Sequence, residues 1–143
     1  MHLTRETLGA ASLLEEVASP ARGATALFVG TVRDHDGGRL VLGIGYSAYE
    51  PLAERVLATI ERELGAEQEG LAVRIVHRLG ELAAGEASIV IAAASPRRDA
   101  AFAACRRALE RVKHEAPIWK LERYSDGSSR WREEEPLGAG TGG

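Results

Sequence analysis

Two lysines frame one proline corner in the stretch Lys113-His114-Glu115-Ala116-Pro117-Ile118-Trp119-Lys120. Ammonium groups brought to one corner repel each other and favour an anion between them, so the stretch can hold or stabilise negative charge. Ser95-Pro96-Arg97-Arg98-Asp99 offers a second such place. Backbone N–H groups at a helix start, with two guanidiniums beside them, make a cradle for an oxyanion or phosphate. The competing reading is the ordinary one for these residue types: solvated side chains, with lysine at a helix C-terminus merely complementing the dipole.

Each of these residues needs an element to hold it. Ala101, Phe102, Cys105, Ala108, Leu109 and Val112 recur at helical spacing, which puts Lys113 on the last turn of an amphipathic helix. Ser95 is expected to cap that helix, with Pro96 in its first turn. Pro117 cannot continue it and biases Ala116 toward extended geometry, so residues 117–122 should leave as a strand carrying Lys120. Residues 23–32 read as a strand apolar on both faces, hence central in its sheet, with Arg33 at its mouth. The loop Asp34-His35-Asp36-Gly37-Gly38 then leads into residues 39–49, where Leu40, Leu42, Ile44 and Tyr46 alternate; a hairpin is the simplest reading.

The remaining segments supply the frame. A first helix, capped by Thr4 or Thr7, carries Leu8, Ala11, Leu14 and Val17 and ends before Pro20. Pro51 opens a second helix with Leu52, Val56, Ile60 and Leu64, and Gly65 is expected just past its end. Val73, Ile75 and His77 share one face of a strand at 71–79, residues 80–85 turn, and 86–94 form a nearly all-apolar strand. Asp126-Gly127 marks a turn into a last short strand at Trp131.

Helices and strands interleave without strict βαβ alternation, so the chain reads as α+β, with a mostly antiparallel sheet and three main helices. Its 143 residues suit a single domain over 1–135, followed by a Gly-rich tail at 136–143. A net charge of −3 gives no whole-protein attraction to nucleic acid. The lone Cys105 allows neither an internal disulfide nor a cysteine zinc site, and the four histidines lack metal-ligand spacing, so neither metal nor cofactor is expected. No apolar run approaches the ~20 residues of a membrane helix and the N-terminus lacks a signal-type start; a cytoplasmic protein without a membrane partner is expected.

Taken together, Phe28-Val29-Gly30-Thr31-Val32-Arg33, Tyr46-Ser47-Ala48-Tyr49, His77-Arg78-Leu79-Gly80, Gly85-Glu86, Ser95-Pro96-Arg97-Arg98 and the Lys113–Lys120 stretch resemble the large, catalytic subunit of molybdopterin synthase. The likeness runs over about residues 20–132. It implies an α/β-hammerhead fold and a homodimer in which each chain binds one small β-grasp sulfur-carrier subunit. The implied reaction moves two sulfurs onto cyclic pyranopterin monophosphate, each arriving as a thiocarboxylate on the carrier's C-terminal Gly-Gly. Carried over residue by residue, the resemblance makes Lys113 the central catalytic residue with Lys120 beside it, and Phe28, Arg33, Arg97 and Arg98 substrate-binding. The family often has His-Arg where this chain has Arg97-Arg98; Arg98 matches, but an acid–base role of that histidine cannot pass to Arg97, whose guanidinium stays protonated.

The chemistry agrees with the resemblance. A cyclic phosphate and a thiocarboxylate must lie close together, and forked arginine donors suit both. Lys113 could then stabilise an oxyanion, transfer protons or attack the carrier's acyl carbon. Two other readings fit the same residues: an anion- or nucleotide-binding regulatory module, and a scaffold that docks a β-grasp partner without catalysis. The terminal Gly142-Gly143 resembles a sulfur-carrier tail, but the chain has no spare length for a β-grasp domain of its own. It is therefore read as a segment that could dock in the carrier-tail channel, with the Gly143 carboxylate near Lys113 or Lys120, and not as a sulfur donor.

Overall fold

Three helices and nine strands follow one another along residues 1–133, the part of the chain that the computed structural model describes. In order they are β1 (Leu3–Thr4), α1 (Ala10–Val17), β2 (Ala24–Thr31), β3 (His35–Asp36), β4 (Arg39–Ala48), α2 (Glu50–Glu67), β5 (Ala72–Arg78), β6 (Gly80–Ala83), β7 (Ala87–Ser95), α3 (Arg98–Glu115), β8 (Ile118–Tyr124) and β9 (Ser129–Glu133). One sheet runs β1-β5-β7-β2 and the other β3-β4-β8-β9, with β6 paired to β4. Only β1–β5 is parallel, so the α+β, mostly antiparallel architecture with three main helices is the one the sequence implies. The expectation of a docked tail falls on residues outside those described.

Alanine decides how closely α3 approaches the first sheet. Ala101, Ala104 and Ala108 of the helix and Ala93 of β7 are buried in one cluster, and side chains this small let a helix lie close on a sheet. On the same side α2 contributes Leu57, Ile60 and Leu64, each fully buried, worth about 1.5–3 kcal/mol apiece. The opposite face of the sheet, through Val76, Val90, Ala92 and Ala94, receives Leu13 and Val17 of α1. Core residues of both sheets, from Leu3 to Tyr124, join in one cluster, which ties the second sheet to the helices. No helix among the described residues is long and apolar enough to cross a membrane.

Several local expectations are corrected. The strand of residues 23–32 is β2, an edge strand and not a central one: α3 covers its Ala26 and Phe28 side, while Leu27 and Val29 remain exposed on the other. The hairpin joins β3 to β4 through Gly37 and Gly38, and β2 and β4 lie in different sheets. In β4 an extra residue, Leu42, breaks the register between Val41 and Gly43. The bulge shifts the phase of the strand, so Val41, Ile44 and Tyr46 are buried, while Leu40 and Leu42 are each 61% exposed.

Helix ends differ as well. Gly9 and not Thr4 or Thr7 precedes α1, because Thr4 lies in β1 and its hydroxyl accepts the Glu6 N–H. The buried pair is accordingly Leu13 and Val17, with Leu14 left partly exposed. Ser95 closes β7; its hydroxyl accepts the Arg97 N–H, and α3 starts only at Arg98, with Arg97 as the residue before it. α2 runs past Gly65 to Glu67, whose carboxylate pairs with Arg107 of α3, and the left-handed turn comes at Gly70, with φ +83°. Residues 80–85 hold the short strand β6 before turning at Gly85.

Candidate active site

A cavity of about 330 Å³ opens between β2, β4, β8 and the C-terminal end of α3, a size that suits a small ligand. Arg33, Lys113, Lys120 and Phe28 all line it. Each arrives by a different local route. Lys113 stands one turn after Leu109, which also lines the cavity, so helical spacing carries the amine to that face. The helix stops two residues later. Ala116 still donates its N–H to the Val112 carbonyl, but Pro117 has no N–H to give and its carbonyl accepts the Tyr49 N–H instead.

From that corner β8 runs back along β4. Ile118, Lys120, Glu122 and Tyr124 alternate on one face and pair with Ala48, Tyr46, Ile44 and Val41. Lys120 therefore re-enters the cavity seven residues after Lys113, as the sequence implies. On the far wall Gly30 is forced by packing: a Cβ there would lie 2.8 Å from Ile89 Cγ2 and 3.3 Å from the Phe28 ring. Ser88, the extra residue where β2 and β7 shift register, donates its hydroxyl to the Gly30 carbonyl at 3.2 Å. This fixes the end of β2, two residues before Arg33.

The cavity is not uniformly cationic. Glu122 lines it with only 4% of its surface exposed, and its Oε1 lies 3.8 Å from Lys120 Nζ. The other carboxylate oxygen accepts the Tyr124 hydroxyl at 2.8 Å. Burial, and then Glu122 as acceptor, pushes that hydroxyl's pKa above its ordinary value, while the Arg39 guanidinium stacks 3.6 Å over the ring. Asp36 lines the mouth with its Oδ1 3.8 Å from Arg33. Neither carboxylate was singled out from the sequence. The signal for Glu122 was present, since a strand that turns Lys120 inward turns Glu122 inward too.

Arg97 and Arg98 stand elsewhere. They flank a shallow depression with Gly23, Ala24, Pro96 and Asp99 at the start of α3. Fifteen residues of helix separate Arg98 from Lys113, about 22 Å along the axis. One chain therefore brings together Phe28, Arg33, Lys113 and Lys120 but not the arginine pair. Cys105 is buried, burial raises its thiol pKa, and it lies off the cavity, so it has the character of a core residue. Among the described residues no group of three or more His, Cys, Asp or Glu could hold a metal ion.

Comparison with known proteins follows the same lines. The MoaE protein family model matches residues 3–115. The molybdopterin synthase catalytic subunit of Bacillus subtilis (strain 168) is 40% identical over 125 residues, covering 87% of this chain and 80% of that protein. The molybdopterin synthase catalytic subunit 1 of Mycobacterium tuberculosis (strain H37Rv) is also 40% identical, covering 94% of this chain and 90% of its own. The crystal structure of molybdopterin synthase from Staphylococcus aureus superposes with a TM-score of 0.87 at 34% identity, over 92% of this chain and 95% of that one. With a cavity built where three of its motifs converge, those of Phe28–Arg33, Tyr46 and Lys113–Lys120, and this likeness along nearly its whole length, the chain belongs to the MoaE protein family of molybdopterin synthase catalytic subunits.

Proposed function

We propose that the cavity is where two sulfurs pass from the thiocarboxylated C-terminus of a small β-grasp carrier subunit to cyclic pyranopterin monophosphate, a step of molybdenum cofactor biosynthesis. The observation that carries this reading is the convergence of Lys113, Lys120 and Arg33, from three separate elements, on one cavity. The carrier tail and the precursor's phosphate are both anions and must meet, and three cations around a part-buried space offset their repulsion. Lys113, at the helix end, stabilises the negative charge that develops at the carrier's reacting carbonyl. Lys120, held against Glu122, and Arg33, at the mouth, bind and orient the two anions, and Phe28 supplies an apolar wall.

Arg97 and Arg98 join this site only across an interface with a second copy, because within one chain α3 holds them a helix length away from Lys113. The catalytic unit is therefore a homodimer with one carrier subunit per chain, working in the cytoplasm, and residues 1–135 form its single domain. Mixing the chain with thiocarboxylated carrier and the pterin precursor should give the dithiolene product. Tight precursor binding without turnover would instead indicate a regulatory module, and carrier binding without precursor binding a scaffold.

A further inference from the structure

Two motifs of the family likeness, His77-Arg78-Leu79-Gly80 and Gly85-Glu86, put no side chain on the cavity, yet they meet each other. Arg78 Nη1 lies 2.6 Å from Glu86 Oε2, with the arginine side chain only 13% exposed. The other carboxylate oxygen, Oε1, accepts the Ala83 N–H at 2.8 Å. One side chain thus fastens both the end of β5 and the turn between β6 and β7. Gly85 adopts φ +92° there, a conformation that favours glycine.

The turn in turn grips β2. Gly85 donates its N–H to the Val32 carbonyl at 2.7 Å, and Val32 donates its own N–H to the Glu86 carbonyl at 2.9 Å. These two bonds come just after β2 and β7 have slipped register at Thr31, where the regular ladder ends. Val32 is buried and lines the cavity beside Arg33. The Arg33 side chain is 54% exposed, so its own packing does little to aim it, and the backbone at Val32 sets its direction.

We propose that the Arg78–Glu86 ion pair is a positioning device for Arg33. The pair holds the turn, the turn pins Val32 by two backbone hydrogen bonds, and Val32 points Arg33 into the cavity. The inference rests on the reading of Arg33 as a ligand for the anionic substrate. Neither Arg78 nor Glu86 touches substrate; their loss acts through Arg33 and appears in substrate binding, not in the chemical step at Lys113.

The test is steady-state sulfur transfer by the full chain with its thiocarboxylated carrier, varying the pterin precursor, for Glu86→Gln, Arg33→Ala and the double variant, with thermal unfolding measured alongside. Glu86→Gln keeps an acceptor for the Ala83 N–H and loses the charge. It should raise KM for the precursor roughly tenfold with kcat within about twofold, and the double variant should be no worse than Arg33→Ala alone. Arg78→Lys, which keeps a cation, should show a smaller rise, and it is read by the same criteria should Glu86→Gln not fold. A lowered unfolding temperature with unchanged KM would overturn the positioning role, as would KM effects that multiply in the double variant. An unchanged KM in Arg33→Ala would instead remove the binding role of Arg33 itself, and the proposal with it.

Discussion

Lys120 Nζ and Glu122 Oε1 lie 3.8 Å apart on the same face of β8, and the carboxylate is almost wholly buried. Glu122 thereby links a cavity cation to the Tyr124 hydroxyl on its other oxygen. A buried carboxylate of this kind lets a second lysine stay near Lys113 without the full cost of like-charge repulsion.

Replacing Glu122 by alanine removes both partners at once. Leaving the Tyr124 hydroxyl without its acceptor costs about 1–3 kcal/mol. The urea midpoint of Glu122→Ala should fall accordingly, and Glu122→Gln, which keeps an acceptor, should lose less. A midpoint equal to wild type in Glu122→Ala would show that the pair is not part of the folded framework.

Acid should weaken the fold through its surface carboxylates. Arg123, Arg107 and Arg111 hydrogen-bond Glu81, Glu67 and Glu115 and hold them below the ordinary carboxylate pKa; the Ala83 N–H and Arg78 do the same for Glu86. A carboxylate whose folded pKa is depressed contributes stability that is present above its unfolded pKa and lost as pH falls through the folded one. The unfolding midpoint should therefore be nearly flat above about pH 5 and decline below about pH 4, with a smaller decline at high salt. A midpoint that rises on acidification would contradict these pairings.

The site was more legible than the strands around it. Lys113 and Lys120 could be placed because a helix period ends at a proline corner and the following residues alternate, two signals that local sterics enforce. Arg33 followed from the apolar run before it. The bulge at Leu42 was not legible, since a one-residue register slip is set by the partner strands β8 and β6 and leaves the apolar residues of β4 in apparent alternation. The edge position of β2 was hidden for a related reason: Leu27 and Val29 are apolar yet exposed, so an apolar strand did not mean a central one. Ser95 was assigned to the helix because the Ser-Pro pair fits a helix start, but its hydroxyl is used one step earlier, to turn the chain out of β7.

If Arg98 acts on the cavity of a second copy, two defective chains can repair each other. Lys113→Ala and Arg98→Ala chains mixed, unfolded together and refolded should recover about a quarter of wild-type sulfur transfer, since half of the pairs are mixed and each mixed pair has one intact site of two. No recovery, with each variant still dimeric, would place Arg98 outside the site.

The central claim is that Lys113 acts in the transfer itself. The most direct measurement is single-turnover sulfur transfer by Lys113→Ala with saturating carrier and precursor, alongside carrier affinity and unfolding. The variant should stay folded, bind carrier nearly as wild type and transfer sulfur at well under about a tenth of the wild-type rate, since a contact made in the transition state appears in rate rather than binding. A rate above about a tenth, equivalent to less than ~1.4 kcal/mol of lost stabilisation, would contradict the assignment.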